Sequence, residues 1–161
     1  MRKKALVFAS ISGCIAVILG ALGAHQLTKY VDSGLLSAKI LHAYETAVNF
    51  QLLHSIAIIA VVTLQYKVAM YFKQIMYLFI SGIILFSGSI YLLVLGEVLK
   101  FNADWAGPVT PVGGLCFILA WFALFLSALK YDDKNIPPGG GSKESSIQSR
   151  TEIQADNSIK L

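Results

Sequence analysis

The sequence predicts an all-α fold: an integral membrane four-helix bundle with a short amphipathic interfacial helix between spans 1 and 2. Three observations predict it. Four stretches, at 5–28, 46–66, 74–96 and 105–129, contain no Asp, Glu, Lys or Arg. Each reaches the roughly 20 residues a helix needs to cross about 30 Å of hydrocarbon. Hydrophobic residues make up 56% of the 161 residues and charged ones 14%, against about 45–50% and about 25% in soluble domains. A water-soluble fold of this size needs more polar surface than that. Third, the basic residues gather at the ends of the apolar stretches rather than inside them.

Those end charges set an expected orientation. Arg2, Lys3 and Lys4 precede span 1, Lys67 and Lys73 flank the turn between spans 2 and 3, and Lys130 and Lys134 follow span 4. The opposite side carries only Lys29, Lys39 and Lys100. By the positive-inside rule both termini are cytoplasmic, in a multi-pass protein of the bacterial inner membrane. The net charge of +4 therefore reads as a topology signal, and no nucleic-acid partner is expected.

Span 1 (about 5–28) has a second reading. A basic start, an apolar run and small residues near Gly23 and Ala24 also describe a signal peptide. Ile11-Ser12-Gly13-Cys14 resembles a lipoprotein cleavage site with Cys14 as the lipidated residue. The uncharged run is longer than a signal core, and Cys14 is followed by more apolar residues rather than a polar linker. A retained first span is therefore expected. Cys14 and Cys116 lack metal-ligand spacing and read as small hydrophobes inside spans 1 and 4.

After span 1, Asp32 or Ser33 is the expected cap of the interfacial helix. Leu35, Leu36, Ile40, Leu41 and Tyr44 recur there at helical spacing, interleaved with Ser37 and Lys39. Span 2 (46–66) and span 3 (74–96) are joined by a few residues at 67–73 and should form a tight antiparallel pair. Gly107-Pro108-Val109-Thr110-Pro111 interrupts helix before span 4 (108–129), with Thr110 as the expected cap and Pro111 at the first helical position. The membrane domain is 1–130. Beyond it, 131–161 contains Pro137-Pro138-Gly139-Gly140-Gly141-Ser142 and then a polar stretch too poor in large apolar residues to offset its ordering entropy. It reads as a flexible cytoplasmic tail.

Helix faces supply the packing expectations. Ser12, Ala16, Gly20 and Ala24 lie four apart in span 1, a groove into which another helix backbone can settle. Gly82, Ser89 and Gly96 in span 3, and Gly113, Ala120 and Ser127 in span 4, lie seven apart, which favours left-handed crossing near 20°. Span 2 is more polar. Ala47, Gln51, His54 and Ser55 share one face, and His42, Glu45, Thr46 and Asn49 share nearly the opposite one. Polar side chains inside a membrane rarely face lipid, so span 2 either has neighbours on both sides or turns its second face to another subunit.

The expected topology brings His25, His42, Glu45, Thr46, Asn49, Tyr91, Glu97 and Thr110 to the outer half of the bilayer, with Gln51, His54 and Ser89 deeper. This candidate polar cluster serves interhelical hydrogen bonding, or forms a functional pocket, or holds haem or metal through His25 and His54. No His/Cys spacing supports the last, and no metal or cofactor is predicted. His54 is expected to be neutral and bonded to another helix, with Ser87 and Ser89 at a similar depth as partners.

Four pieces carry a family resemblance: Gly20-Ala21-Leu22-Gly23-Ala24-His25-Gln26-Leu27, Thr46-Ala47-Val48-Asn49-Phe50-Gln51-Leu52-Leu53-His54, Phe86-Ser87-Gly88-Ser89-Ile90-Tyr91, and Thr110-Pro111-Val112-Gly113-Gly114-Leu115 leading to Trp121. In order and spacing the chain resembles the domain of unknown function 423 family of small bacterial inner-membrane proteins. One departure is Ala120, where the family tends to have Gly. The resemblance implies a four-span protein and no established activity. The residues show no phosphate loop, no Ser-His-Asp order and no redox cysteine pair. The reading is a non-enzymatic scaffold or accessory subunit, partnered by the lipid bilayer and by a second copy or another membrane protein. The alternatives are a small oligomeric channel or transporter, or a haem- or metal-binding membrane protein.

Overall fold

The structure, a computed structural model, describes residues 1–64 and 70–130. The expected 67–73 turn lies partly, and the 131–161 tail wholly, outside the described residues. Among the described residues every regular element is helical: α1 (Arg2–Leu22), a π turn (Gly23–Leu27), α2 (Thr28–Asp32), α3 (Ala38–Thr63), α4 (Phe72–Gly82), a second π turn (Ile83–Ser87), α5 (Gly88–Leu99), a 3-10 turn (Asp104–Ala106) and α6 (Val109–Leu129). The π turns join their flanking helices into continuous spans. Four helices are long and apolar enough to cross a membrane: Arg2–Asp32, Ala38–Thr63, Phe72–Leu99 and Asp104–Leu129.

Successive spans pack as antiparallel neighbours. Span 1 lies on α3, α3 lies on span 3, and span 3 lies on α6. Between α3 and span 3, one apolar cluster centres on Ile58, Ile75, Met76 and Phe79, and a second on Tyr44, Ala47, Ile90 and Val94. Around the outside, large apolar side chains such as Val17 (61% exposed) and Ile118 (65%) face outward. Lipid tails are as apolar as these side chains, so burial alone gives no hydrophobic gain in a bilayer. Close contact and hydrogen bonds must hold the spans together.

Close contact comes from the small residues. A Cβ on Gly113 would fall on the backbone of Leu85 and Phe86, and one on Gly82 would sit 2.5 Å from the Phe117 ring. Ser12, Ala16, Ala120 and Ser127 are buried as well, and Gly20 lies under Val48. Two expected packing residues behave differently. Ala24 is exposed, because the π turn adds a residue at this point and the small-residue face continues through Gly23, on which the Tyr44 ring lies. Gly96 meets Phe101 and Ala103 of its own following loop rather than another span.

The connection between spans 1 and 2 also departs from expectation. No separate interfacial helix forms from Leu35 to Tyr44. The chain turns at Gly34, in the left-handed region at φ 73°, and Ser37, rather than Asp32 or Ser33, caps α3 by accepting from the Ile40 N–H at 3.4 Å. Nothing between Ser37 and Thr63 breaks a helix, so the amphipathic turns at 38–44 simply begin span 2, a helix about 39 Å long. At span 4 the cap is Pro108, not Thr110. Thr110 is already helical, and its hydroxyl is used elsewhere.

These contacts predict opposite outcomes for two glycines. Gly113→Ala should cost about 1–3 kcal/mol by overpacking. Gly88, where an added Cβ meets nothing within 4 Å, should tolerate Ala to within about 0.5 kcal/mol. Thermal unfolding of both variants in detergent checks the difference.

Candidate functional site

Span 2 supplies most of the buried polar groups. Its helical period points Ala47, Gln51, His54 and Ser55 toward the other spans, and all four are buried. Gln51 sits at the meeting point of three spans. Its Nε2 donates to the Ser12 carbonyl at 2.9 Å and to Ser12 Oγ at 3.3 Å, and its Oε1 accepts from the Tyr91 hydroxyl at 2.7 Å. Ser55 Oγ lies 2.9 Å from Ser12 Oγ and donates to the Gln51 carbonyl at 2.7 Å. Two further ties run to backbone: Ser87 Oγ to the Ala47 carbonyl at 2.8 Å and Tyr44 OH to the Leu19 carbonyl at 2.6 Å.

His54 forms a second unit. Its Nδ1 lies 2.7 Å from the Phe50 carbonyl, and its Nε2 lies 3.3 Å from Trp121 Nε1. A carbonyl only accepts and an indole N–H only donates, so the partners assign the neutral ring with its proton on Nδ1. The ring stacks on Phe117 at 3.6 Å, with Phe79 and Trp121 around it. Ser87 and Ser89, expected as partners, are not used. The imidazole accepts from the Trp121 indole instead, and Ser89 is bonded to Thr110 at 2.7 Å and to the Phe86 carbonyl at 2.9 Å. Phe86 lies in the second π turn. In the other π turn the Gly23 carbonyl accepts from the Thr28 backbone N–H, with the Thr28 hydroxyl 3.4 Å away.

The candidate cluster therefore divides. Gln51, Tyr91, His54 and Ser89 are brought inside, in three separate hydrogen-bonded groups. His25, His42, Glu45, Asn49 and Glu97 are exposed, and Thr46 is half-buried with its hydroxyl on the His42 carbonyl at 2.9 Å. Neither a hydrogen bond nor a ring contact joins His25 to His54, and both His54 nitrogens are engaged. Among the described residues no three His, Cys, Asp or Glu side chains come together as a metal-binding group. Cys14 and Cys116 are free thiols. A groove of about 330 Å³ runs between spans 1 and 3 over Ser12, Gln51, Ser87 and Tyr91, and a recess of about 430 Å³ is bordered by Lys39, Glu97 and Asp104.

Ser12, Tyr44, Ser55 and Trp121 complete these groups without having been assigned to an interspan hydrogen bond from the sequence, whereas Ser87 was expected to bond His54 and bonds the Ala47 carbonyl, and Thr110, expected in the polar cluster, bonds Ser89. Ser12 was legible only as a small residue, and Trp121 only through its family motif.

Residues 19–114 match the model of the family described as protein of unknown function (DUF423). The chain belongs to this family. It is 35% identical to the UPF0382 inner membrane protein YgdD of Escherichia coli (strain K12) over 81% of this chain and 93% of that one. It is 34% identical to a UPF0382 membrane protein of Haemophilus influenzae over 81% and 97%, and 31% identical to one of Staphylococcus haemolyticus over 80% and 98%. No solved structure matches the chain. The matched DUF423 segment contains Gln51, His54, Tyr91, Ser89 and Thr110 and stops short of Trp121.

The two buried units should differ in weight. His54→Leu removes one interspan acceptor and should cost about 1 kcal/mol, with His54→Gln costing less. Gln51→Leu leaves groups of spans 1 and 3 without their partner and should cost about 2 kcal/mol. Melting temperatures in detergent rank them, and equal losses would contradict the division.

Proposed function

We propose that this DUF423 protein is a non-enzymatic scaffold or accessory subunit of the bacterial inner membrane, with both termini in the cytoplasm. One observation carries the reading. The buried side-chain donors and acceptors on spans 1 to 3 spend their hydrogen bonds on one another. A site that binds and turns over a substrate presents convergent polar groups to a pocket. Here the polar lining of the groove between spans 1 and 3 is already engaged, with Gln51 bonded on both ends of its amide. Polar groups arranged this way hold helices in register, which suits a protein whose task is to present its outer faces.

The inner-membrane placement rests on the apolar spans and on the Escherichia coli relative, which carries that location in its name. The orientation rests on the basic residues. Arg2, Lys3, Lys4, Lys73 and Lys130 lie at one end of the bundle, against Lys29, Lys39 and Lys100 at the other.

Purification in mild detergent should recover an oligomer or a reproducible protein partner, and proteoliposomes should pass protons and small ions no faster than empty liposomes. A clean monomer with no co-purifying protein would count against the scaffold. Flux above the empty control would replace it with a channel.

A further inference from the structure

The outward face of α3 carries one amide, Asn49, within the uncharged run 46–66. His42, Glu45, Asn49, Leu53, Ile56 and Ala60 form one stripe along the side of α3 turned away from Gln51, and all six are exposed. Spans 1 and 3 pack on the other side of α3, so the described residues leave this face uncovered. Asn49 lies four residues, about 6 Å, below Glu45, inside the uncharged run 46–66. Among the described residues no side chain or backbone group bonds its amide. A primary amide facing hydrocarbon loses its hydrogen bonds to water and gains none.

We infer that the occupant of this face is a second copy of the chain, paired in parallel through α3 with Asn49 against Asn49. Two copies inserted the same way present every residue at the same depth, and about a two-fold axis along the membrane normal each seam residue meets its own counterpart. An amide is both donor and acceptor, so it bonds its twin without any other chemistry. A different partner would need its own polar group at that one depth. His42, Asn49 and Ile56 are seven residues apart, the repeat of a left-handed two-helix seam, in which a single asparagine fixes register and pairing. Glu45 lies one turn above the amide and His42 a turn further out, so acceptors and a ring N–H donor stand together at the rim of the face. The pairing would place the most polar span at the centre of the assembly.

This inference rests on the scaffold reading and narrows it to one partner. The test uses the full chain in native membranes, with Cys14→Ala and Cys116→Ala removing the thiols already present. Single cysteines are then placed by Asn49→Cys and Ile56→Cys on the seam, and by Val17→Cys and Ile118→Cys on lipid-facing positions of spans 1 and 4. Mild oxidation should give a dimer of the chain's own mass at both seam positions and at neither control. In parallel, Asn49→Leu should lower co-purification of two differently tagged copies about fivefold, the factor one interhelical amide contact supplies. Equal cross-linking at seam and control positions, no cross-link at Asn49→Cys, or unchanged co-purification would overturn the pairing. A cross-link from the seam to a protein of different mass would overturn the second copy while leaving the scaffold intact.

Discussion

Gln51 is the side chain on which the arrangement of three spans depends. Hydrocarbon cannot hydrogen-bond, so an amide buried in a membrane bundle must find every partner within the protein. Gln51 does so by reaching span 1 with its nitrogen and span 3 with its oxygen. Those two bonds set the depth of Ser12 and of Tyr91 relative to span 2. Tyr44 and Ser87 repeat the device nearby, each using a hydroxyl to reach a backbone carbonyl on a neighbouring span. In water such bonds exchange with solvent at small net gain. Here the competing solvent is absent, and register is what they supply.

Span 4 is held differently. Gly82 and Gly113 let spans 3 and 4 approach until Phe117 lies over Gly82 and the backbone of Phe86 lies beside Gly113. That approach brings Phe117 against His54 and carries Trp121 to the far nitrogen of the same ring. The histidine is thus a packing element with both polar atoms accounted for. The π turn at Ile83–Ser87 belongs to the same contact. Here Ser87 reaches the Ala47 carbonyl of span 2, and Ser89 bonds the Phe86 carbonyl and Thr110 of span 4. Geometry set by glycines and a wide turn decides which hydroxyl meets which partner.

Much of this architecture was legible in the sequence, and what was missed has physical causes. Four uncharged runs suffice to place four spans, because the cost of burying charge in lipid leaves little freedom. The inward face of span 2 followed from helical period, and Gln51, His54 and Ser55 do point inward. Span ends were harder: Leu35, Leu36, Ile40, Leu41 and Tyr44 at helical spacing, with Ser37 and Lys39 between them, suggested a separate interfacial helix, although nothing from Ala38 to Thr63 interrupts α3. Both π turns were invisible, since they depend on tertiary partners such as Tyr44 over Gly23, and so Ala24 was turned the wrong way. Depth placed Ser87 and Ser89 beside His54, but depth says nothing of rotation about the helix axis, and Trp121 on a span 67 residues away in the chain holds the bond instead.

The central claim is that the buried polar groups tie spans to one another rather than await a ligand. The measurement closest to it is a double-mutant cycle on thermal stability in detergent, using Gln51→Leu, Tyr91→Phe and the pair. A direct bond between spans 2 and 3 predicts a coupling of about 1 kcal/mol, the double variant being less destabilised than the sum of the two singles. Additive effects to within about 0.3 kcal/mol would contradict the account, because they would mean that the two side chains do not bear on each other's stability.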